Sequence, residues 1–118
     1  MPGSKVALYG IPNCDTVKKA RDWLTAHGID YRFHDFKKEG LDAVLLDGWL
    51  TQVGWEILLN RKGMMWRKLD EAIRSSIDAS SARAVMLETP TIIKRPVLMK
   101  DDKVSVGFKP ADYETLFG

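Results

Sequence analysis

Cys14 is the chain's single cysteine, and one thiol defines a narrow range of chemistry. It cannot close an internal disulfide. With only His27 and His34 beside it, a cysteine-based zinc cluster is ruled out and no metal is expected. A lone thiol is either a small buried hydrophobe or a nucleophile whose surroundings favour the thiolate. Cys14 follows the loop Gly10-Ile11-Pro12-Asn13, directly before a helical pattern that begins at Asp15. A thiolate placed there faces the unpaired N–H groups and the positive end of a helix dipole. The next turn carries Lys18, Lys19 and Arg21. Cations near a helix start oppose its dipole, but they would favour an anion bound there. The alternative for these three is a solvated face.

Several elements must position this thiol. Lys5-Val6-Ala7-Leu8-Tyr9 reads as a buried strand ended by Gly10. Val17, Ala20 and Leu24 recur at helical spacing and Gly28 stops them, which predicts a helix over 15–27 with Asn13, Asp15 or Thr16 as cap. A second strand is predicted over 29–36. Leu41, Val44, Leu45, Trp49 and Val53 mark an amphipathic helix stopped by Gly54, and Ala82, Val85 and Met86 another closed by Thr89-Pro90. The segments 91–99 and 103–106, joined by Lys100-Asp101-Asp102, predict a hairpin. Pro110 opens a final helix over 111–117. The first strand–helix–strand unit implies two parallel neighbours with a right-handed crossover, and helices are expected on both faces of a small mixed sheet. The four tryptophans, Trp23, Trp49, Trp55 and Trp66, are expected in the core. His27 suits a helix C-terminus.

The 118 residues make one domain's worth of chain, 45% apolar and 29% charged, with a net charge of +2. That composition excludes disorder and is too weakly basic to argue for nucleic acid. No apolar run approaches the roughly 18 residues of a membrane span, and Met1-Pro2-Gly3-Ser4-Lys5 lacks the form of a secretory signal. A cytoplasmic protein with no membrane or nucleic-acid interface is expected, and nothing in the sequence demands more than a monomer.

The segment Tyr9-Gly10-Ile11-Pro12-Asn13-Cys14-Asp15-Thr16-Val17-Lys18-Lys19-Ala20 resembles the active-site segment of the glutaredoxin-linked arsenate reductase family, the ArsC/Spx-like proteins. The likeness continues through Leu58-Leu59-Asn60-Arg61-Lys62-Gly63-Met64-Met65-Trp66-Arg67-Lys68-Leu69, Pro90-Thr91-Ile92-Ile93-Lys94-Arg95-Pro96-Val97-Leu98 and Gly107-Phe108-Lys109-Pro110. It is nearest to the YffB-type subgroup. The resemblance implies an α/β thioredoxin-like (glutaredoxin-type) fold, a four-stranded mixed sheet with an inserted helical region. One domain would then cover 1–118, with the insertion at about 40–89. The implied nucleophile is Cys14, which attacks an oxidised centre and forms a mixed disulfide with glutathione. Arg95 is implied to bind an oxyanion, or a glutathione carboxylate, ahead of a cis Pro96 beside the thiol. Thr16 matches the family threonine after the cysteine. Arg61, Lys62 and Lys109 are further candidates for the same pocket.

The chain departs from the arsenate reductases in three places. Asn60 stands where a second arginine follows the Leu-Leu pair, Lys109 replaces a third arginine, and Val17 replaces a serine. Lysine gives an oxyanion a point charge and not a planar fork. A glutathione-dependent thiol reductase therefore fits better than an arsenate reductase. Glutathione is the implied cosubstrate, since one cysteine needs an external thiol to resolve its intermediate. Glutaredoxin is an implied partner, and a small oxyanion or disulfide the implied substrate. The rival reading is an Spx-like regulator that binds RNA polymerase without catalysis. Val17 stands where a Cys-x-x-Cys switch would need its second thiol.

Overall fold

The computed structural model describes residues 6–118. The expectations for the first five residues, including Lys5 as part of the first strand, lie outside the described residues. Along the chain run β1 (Val6–Gly10), α1 (Asp15–Ala26), β2 (Arg32–Asp35), α2 (Phe36–Glu39), α3 (Ala43–Val53), α4 (Trp55–Leu58), α5 (Met64–Arg67), α6 (Glu71–Ser75) and α7 (Ala79–Glu88). A 3-10 turn (Pro90–Ile92), β3 (Val97–Lys100), β4 (Lys103–Val106) and α8 (Pro110–Phe117) complete it. The chain divides into two compact units, one of residues up to Phe36 together with Arg95–Gly118, the other of Lys37–Lys94.

The first unit is a four-stranded sheet in the order β2-β1-β3-β4. β1 and β2 are parallel with Leu8 opposite Phe33, and β1 and β3 antiparallel with Leu8 opposite Leu98. β3 and β4 form the expected hairpin, with Lys100 opposite Lys103. Asp101 takes φ 56° in its tight turn, a left-handed conformation that aspartate tolerates better than most side chains. Leu8 and Leu98 on one sheet face bury Val17, Ala20 and Leu24 of α1 and Tyr113 of α8, all with no exposed surface. Both helices of this unit therefore lie on the same face. This strand–helix–strand unit followed by hairpin and helix is a thioredoxin-like fold.

Two strands are shorter than their apolar runs. β2 covers four residues, and Phe36 already opens α2. In the run over 91–99 strand forms from Val97 alone, because Pro90 and Pro96 each lack a ladder donor. Ile93 makes an isolated bridge to Leu59 instead.

In the second unit α7 packs on α3, α4 and the 3-10 turn, burying Leu46, Trp49, Leu58, Met86, Ile92 and Ile93. A capping box starts α7, with Asp78 Oδ1 accepting from the Ser81 N–H and the Asp78 N–H donating to Ser81 Oγ, both at 2.9 Å. Val44, expected on the apolar stripe of α3, is 78% exposed, and Leu46 takes the core position. Among the tryptophans only Trp49 is fully buried; Trp23, Trp55 and Trp66 are half-buried.

Candidate active site

Cys14 is the N-cap of α1. Its backbone is extended (φ −108°, ψ 126°), and its carbonyl accepts the first helical bond, from the Lys18 N–H at 2.9 Å. The N-cap is thus Cys14 and not Asn13, Asp15 or Thr16, and among the described residues the helix start has no side-chain cap hydrogen bond. The first-turn amides therefore lack the side-chain partner that a capping residue supplies. The thiol is free and half-buried, packed against the cluster of Leu8, Val17 and Leu98.

The position of Cys14 follows from a close approach behind it. Gly10 ends β1 where a Cβ would stand 2.8 Å from Val17 Cγ2. Glycine lets α1 sit hard against the strand. Val17, where the resemblance implies a serine, is a core residue with no exposed surface.

The β1–β3 register places Tyr9 opposite Val97, so the Arg95-Pro96 segment enters β3 at the end of the sheet from which the cysteine loop leaves. The Arg95–Pro96 peptide bond is cis, as the resemblance implies. Pro96 is buried and Arg95 half-buried. The Pro96 carbonyl accepts from the Gly107 N–H at 2.8 Å, which brings the Gly107-Phe108-Lys109 segment to the same end. Lys109 is exposed there as the N-cap of α8, and Thr16 is exposed in the first turn of α1.

Arg61 and Lys62 belong to the second unit and are exposed. Asn60 there accepts from the Lys62 N–H at 3.1 Å, and its own N–H donates to the Ile92 carbonyl at 3.0 Å. The Lys94 N–H donates to the Leu58 carbonyl at 2.8 Å. These bonds gather Arg61, Lys62 and Lys94 around a cavity of about 140 Å3 that Glu56, Leu59 and Asn60 also line. The Arg61 guanidinium lies 5.4 Å from the Trp55 ring centre. Lys94 was missed at the sequence level, although it directly precedes Arg95. Its convergence with Arg61 and Lys62 depends on the pairing of Leu59 with Ile93, two residues far apart in sequence.

The cations after Cys14 divide. Lys18 and Lys19 are exposed, while Arg21 is fixed against β2. Its Nε donates to Tyr31 Oη at 3.0 Å, and its guanidinium lies 4.2 Å from the Phe33 ring centre. His27 caps the far end of α1, with Nδ1 2.8 Å from the Trp23 carbonyl and its ring stacked on Trp23. No group of three or more His, Cys, Asp or Glu that could hold a metal ion occurs among the described residues, and no helix there is long and apolar enough to cross a membrane.

A cysteine at an uncapped helix start, across a sheet end from an Arg–cis-Pro, defines a thioredoxin-like protein with one thiol. The ArsC family model matches residues 9–116, and the chain belongs to the ArsC family. It is 44% identical over 112 residues to an uncharacterized protein of Haemophilus influenzae, covering 95% of this chain and 98% of that one. It is 26% identical over 105 residues to a global transcriptional regulator Spx of Streptococcus pyogenes, covering 87% and 78%. A solved YffB protein superposes with a TM-score of 0.93 at 46% identity, covering 97% of this chain and all of that one. An arsenate reductase-related protein from Brucella melitensis gives 0.77 at 62% identity, covering 99% and 98%.

Proposed function

We propose that the protein is a glutathione-dependent thiol reductase acting through Cys14. The observation that carries this reading is the half-buried Cys14 thiol at a helix start that no side chain caps. Arg95, half-buried ahead of Pro96, is the anion-binding group, and Thr16 and Lys109 flank the same end of the sheet. The Cys14 thiolate attacks the glutathionyl sulfur of a mixed disulfide. That S–S bond breaks as the new one forms, and the released substrate thiolate keeps the electron pair. A second glutathione thiolate then attacks the Cys14 mixed disulfide, which frees Cys14 and yields glutathione disulfide. Glutaredoxin is a second donor that fits this cycle. Arg61, Lys62 and Lys94 offer a further anion site on the second unit.

The test is the rate at which Cys14 is glutathionylated by glutathione disulfide, read by mass spectrometry. Cys14→Ser abolishes it. Arg95→Ala slows it about ten- to a hundredfold, the loss of one charge-assisted contact of about 1.5–3 kcal/mol, and slows an uncharged disulfide much less. Equal slowing of both reagents would assign Arg95 to the thiolate and not to the substrate.

The similarity to proteins named Spx supports a second reading, a regulator that binds RNA polymerase without turnover. Retained capture of purified polymerase by Cys14→Ser, with no glutathionylation of the unaltered protein, would favour it over the first.

A further inference from the structure

Lys18, Arg21, Asp22 and Thr25 follow Cys14 at four, seven, eight and eleven residues, the spacing of one helix face. With Pro12 of the cysteine loop and Tyr31 they line an open cavity of about 380 Å3. It is a polar strip leading away from the thiol. Along the helix axis Lys18 stands about 6 Å and Asp22 about 12 Å from Cys14, at 1.5 Å per residue.

Arg21 is the strip's cation that neighbouring side chains hold. The Tyr31 hydroxyl takes its Nε, and the Phe33 ring supports its plane. Its Nη nitrogens and the Lys18 and Asp22 head groups make no hydrogen bond or ion pair among the described residues. A guanidinium held in place with its outer nitrogens free is prepared for a carboxylate, with little side-chain freedom left to lose on binding. Asp22, one position on, supplies the opposite charge. A carboxylate and an ammonium borne on one carbon match that pair.

The geometry points to this cavity as a subsite for the α-amino-carboxylate end of a γ-glutamyl thiol, the carboxylate on Arg21 and Lys18 and the ammonium on Asp22. The inference rests on the proposed glutathione chemistry and adds to it which residues select the substrate. The α-amino-carboxylate of glutathione is several bonds from its sulfur. An anchor there leaves the sulfur free to reach Cys14.

S-methylglutathione, a thioether that cannot exchange, separates binding from redox chemistry. Its titration into the whole protein, followed by amide chemical shifts, is expected to move Pro12-adjacent and α1 signals including Lys18, Arg21 and Thr25. Arg21→Gln is expected to weaken binding about tenfold, a charge-assisted contact at a partly exposed site. Lys18→Gln, at an exposed position with no contact to lose, is expected to weaken it by a few-fold, and so guards against a packing defect in Arg21→Gln. Asp22→Asn is expected to weaken S-methylglutathione but not its N-acetyl derivative. Shifts confined to residues outside this strip, or unchanged affinity in Arg21→Gln and Lys18→Gln, would overturn the subsite even if Cys14 reacts with glutathione disulfide. Binding at the strip with an inert Cys14 would uphold the subsite and overturn the redox cycle.

Discussion

At the scale of single residues, Cys14 and Tyr113 illustrate opposite uses of a polar group in one core. Cys14 lies at the edge of the cluster that Tyr113 sits inside. The Tyr113 hydroxyl is buried and has no hydrogen-bond partner among the described residues, surrounded by Trp23, Phe108 and Phe117. Burial pushes its ionisation well above the ordinary tyrosine range. Tyr113→Phe removes an unsatisfied group while keeping the ring, and is expected to stabilise the protein by about 1–3 kcal/mol. The pH dependence has a definite sign. Above about pH 10 the unfolded chain loses the phenolic proton and the folded chain keeps it, so stability falls as pH rises, by up to about 1.4 kcal/mol per pH unit. Urea unfolding between pH 8 and pH 11 checks both points. Tyr113→Phe should be more stable at pH 8 and lose less on going alkaline; equal alkaline slopes would show that other groups set the dependence.

At the scale of elements, the contact between β1 and α1 decides where the thiol lies. Gly10 and Val17 fill one space, and a methyl group at position 10 would meet Val17 Cγ2 at 2.8 Å. Gly10→Ala is expected to cost about 1–3 kcal/mol through overpacking. The displaced helix start should also change the alkylation rate of Cys14. Gly10→Ala combined with Val17→Ala should recover part of both effects, since the second change vacates the space that the first one needs. Chemical denaturation and iodoacetamide kinetics on the two variants measure this. A Gly10→Ala protein with unchanged stability and thiol reactivity would mean that the helix tolerates the shift.

At the scale of the whole molecule, the two units differ in how they are held. The first has a four-stranded ladder and two helices of 12 and eight residues. The second contains three helices of only four or five residues within Trp55–Ser75, namely α4, α5 and α6. Helices this short gain little from their own hydrogen bonds and depend on packing. Met64 and Ile57 there are 66% and 54% exposed. Native-state hydrogen exchange is expected to be slowest for β1, β3 and α1 and at least about tenfold faster across 55–75, where local opening suffices. Uniform protection over both regions would show that the molecule opens as one unit.

The element order, the helix that begins after Cys14, the hairpin and the parallel pairing of the first two strands were legible in the sequence, because each rests on local periodicity, turn residues or the hand of a crossover. So was the place of Cys14 at the strand-to-helix junction, since that arrangement is local. The ends of the strands were not legible where proline overrode an apolar run, as over 91–96, nor was Val44, whose place in an apolar pattern did not keep it from solvent. Tertiary structure alone decided which charges meet. Arg21 reads like Lys18 and Lys19 in sequence, yet Tyr31 and Phe33 fix it while the lysines remain at the surface. Lys94 joins Arg61 and Lys62 because Leu59 pairs with Ile93. Periodicity along one chain specifies which face a side chain takes; which distant residue it meets depends on register and packing between elements, and that information is not local to any segment.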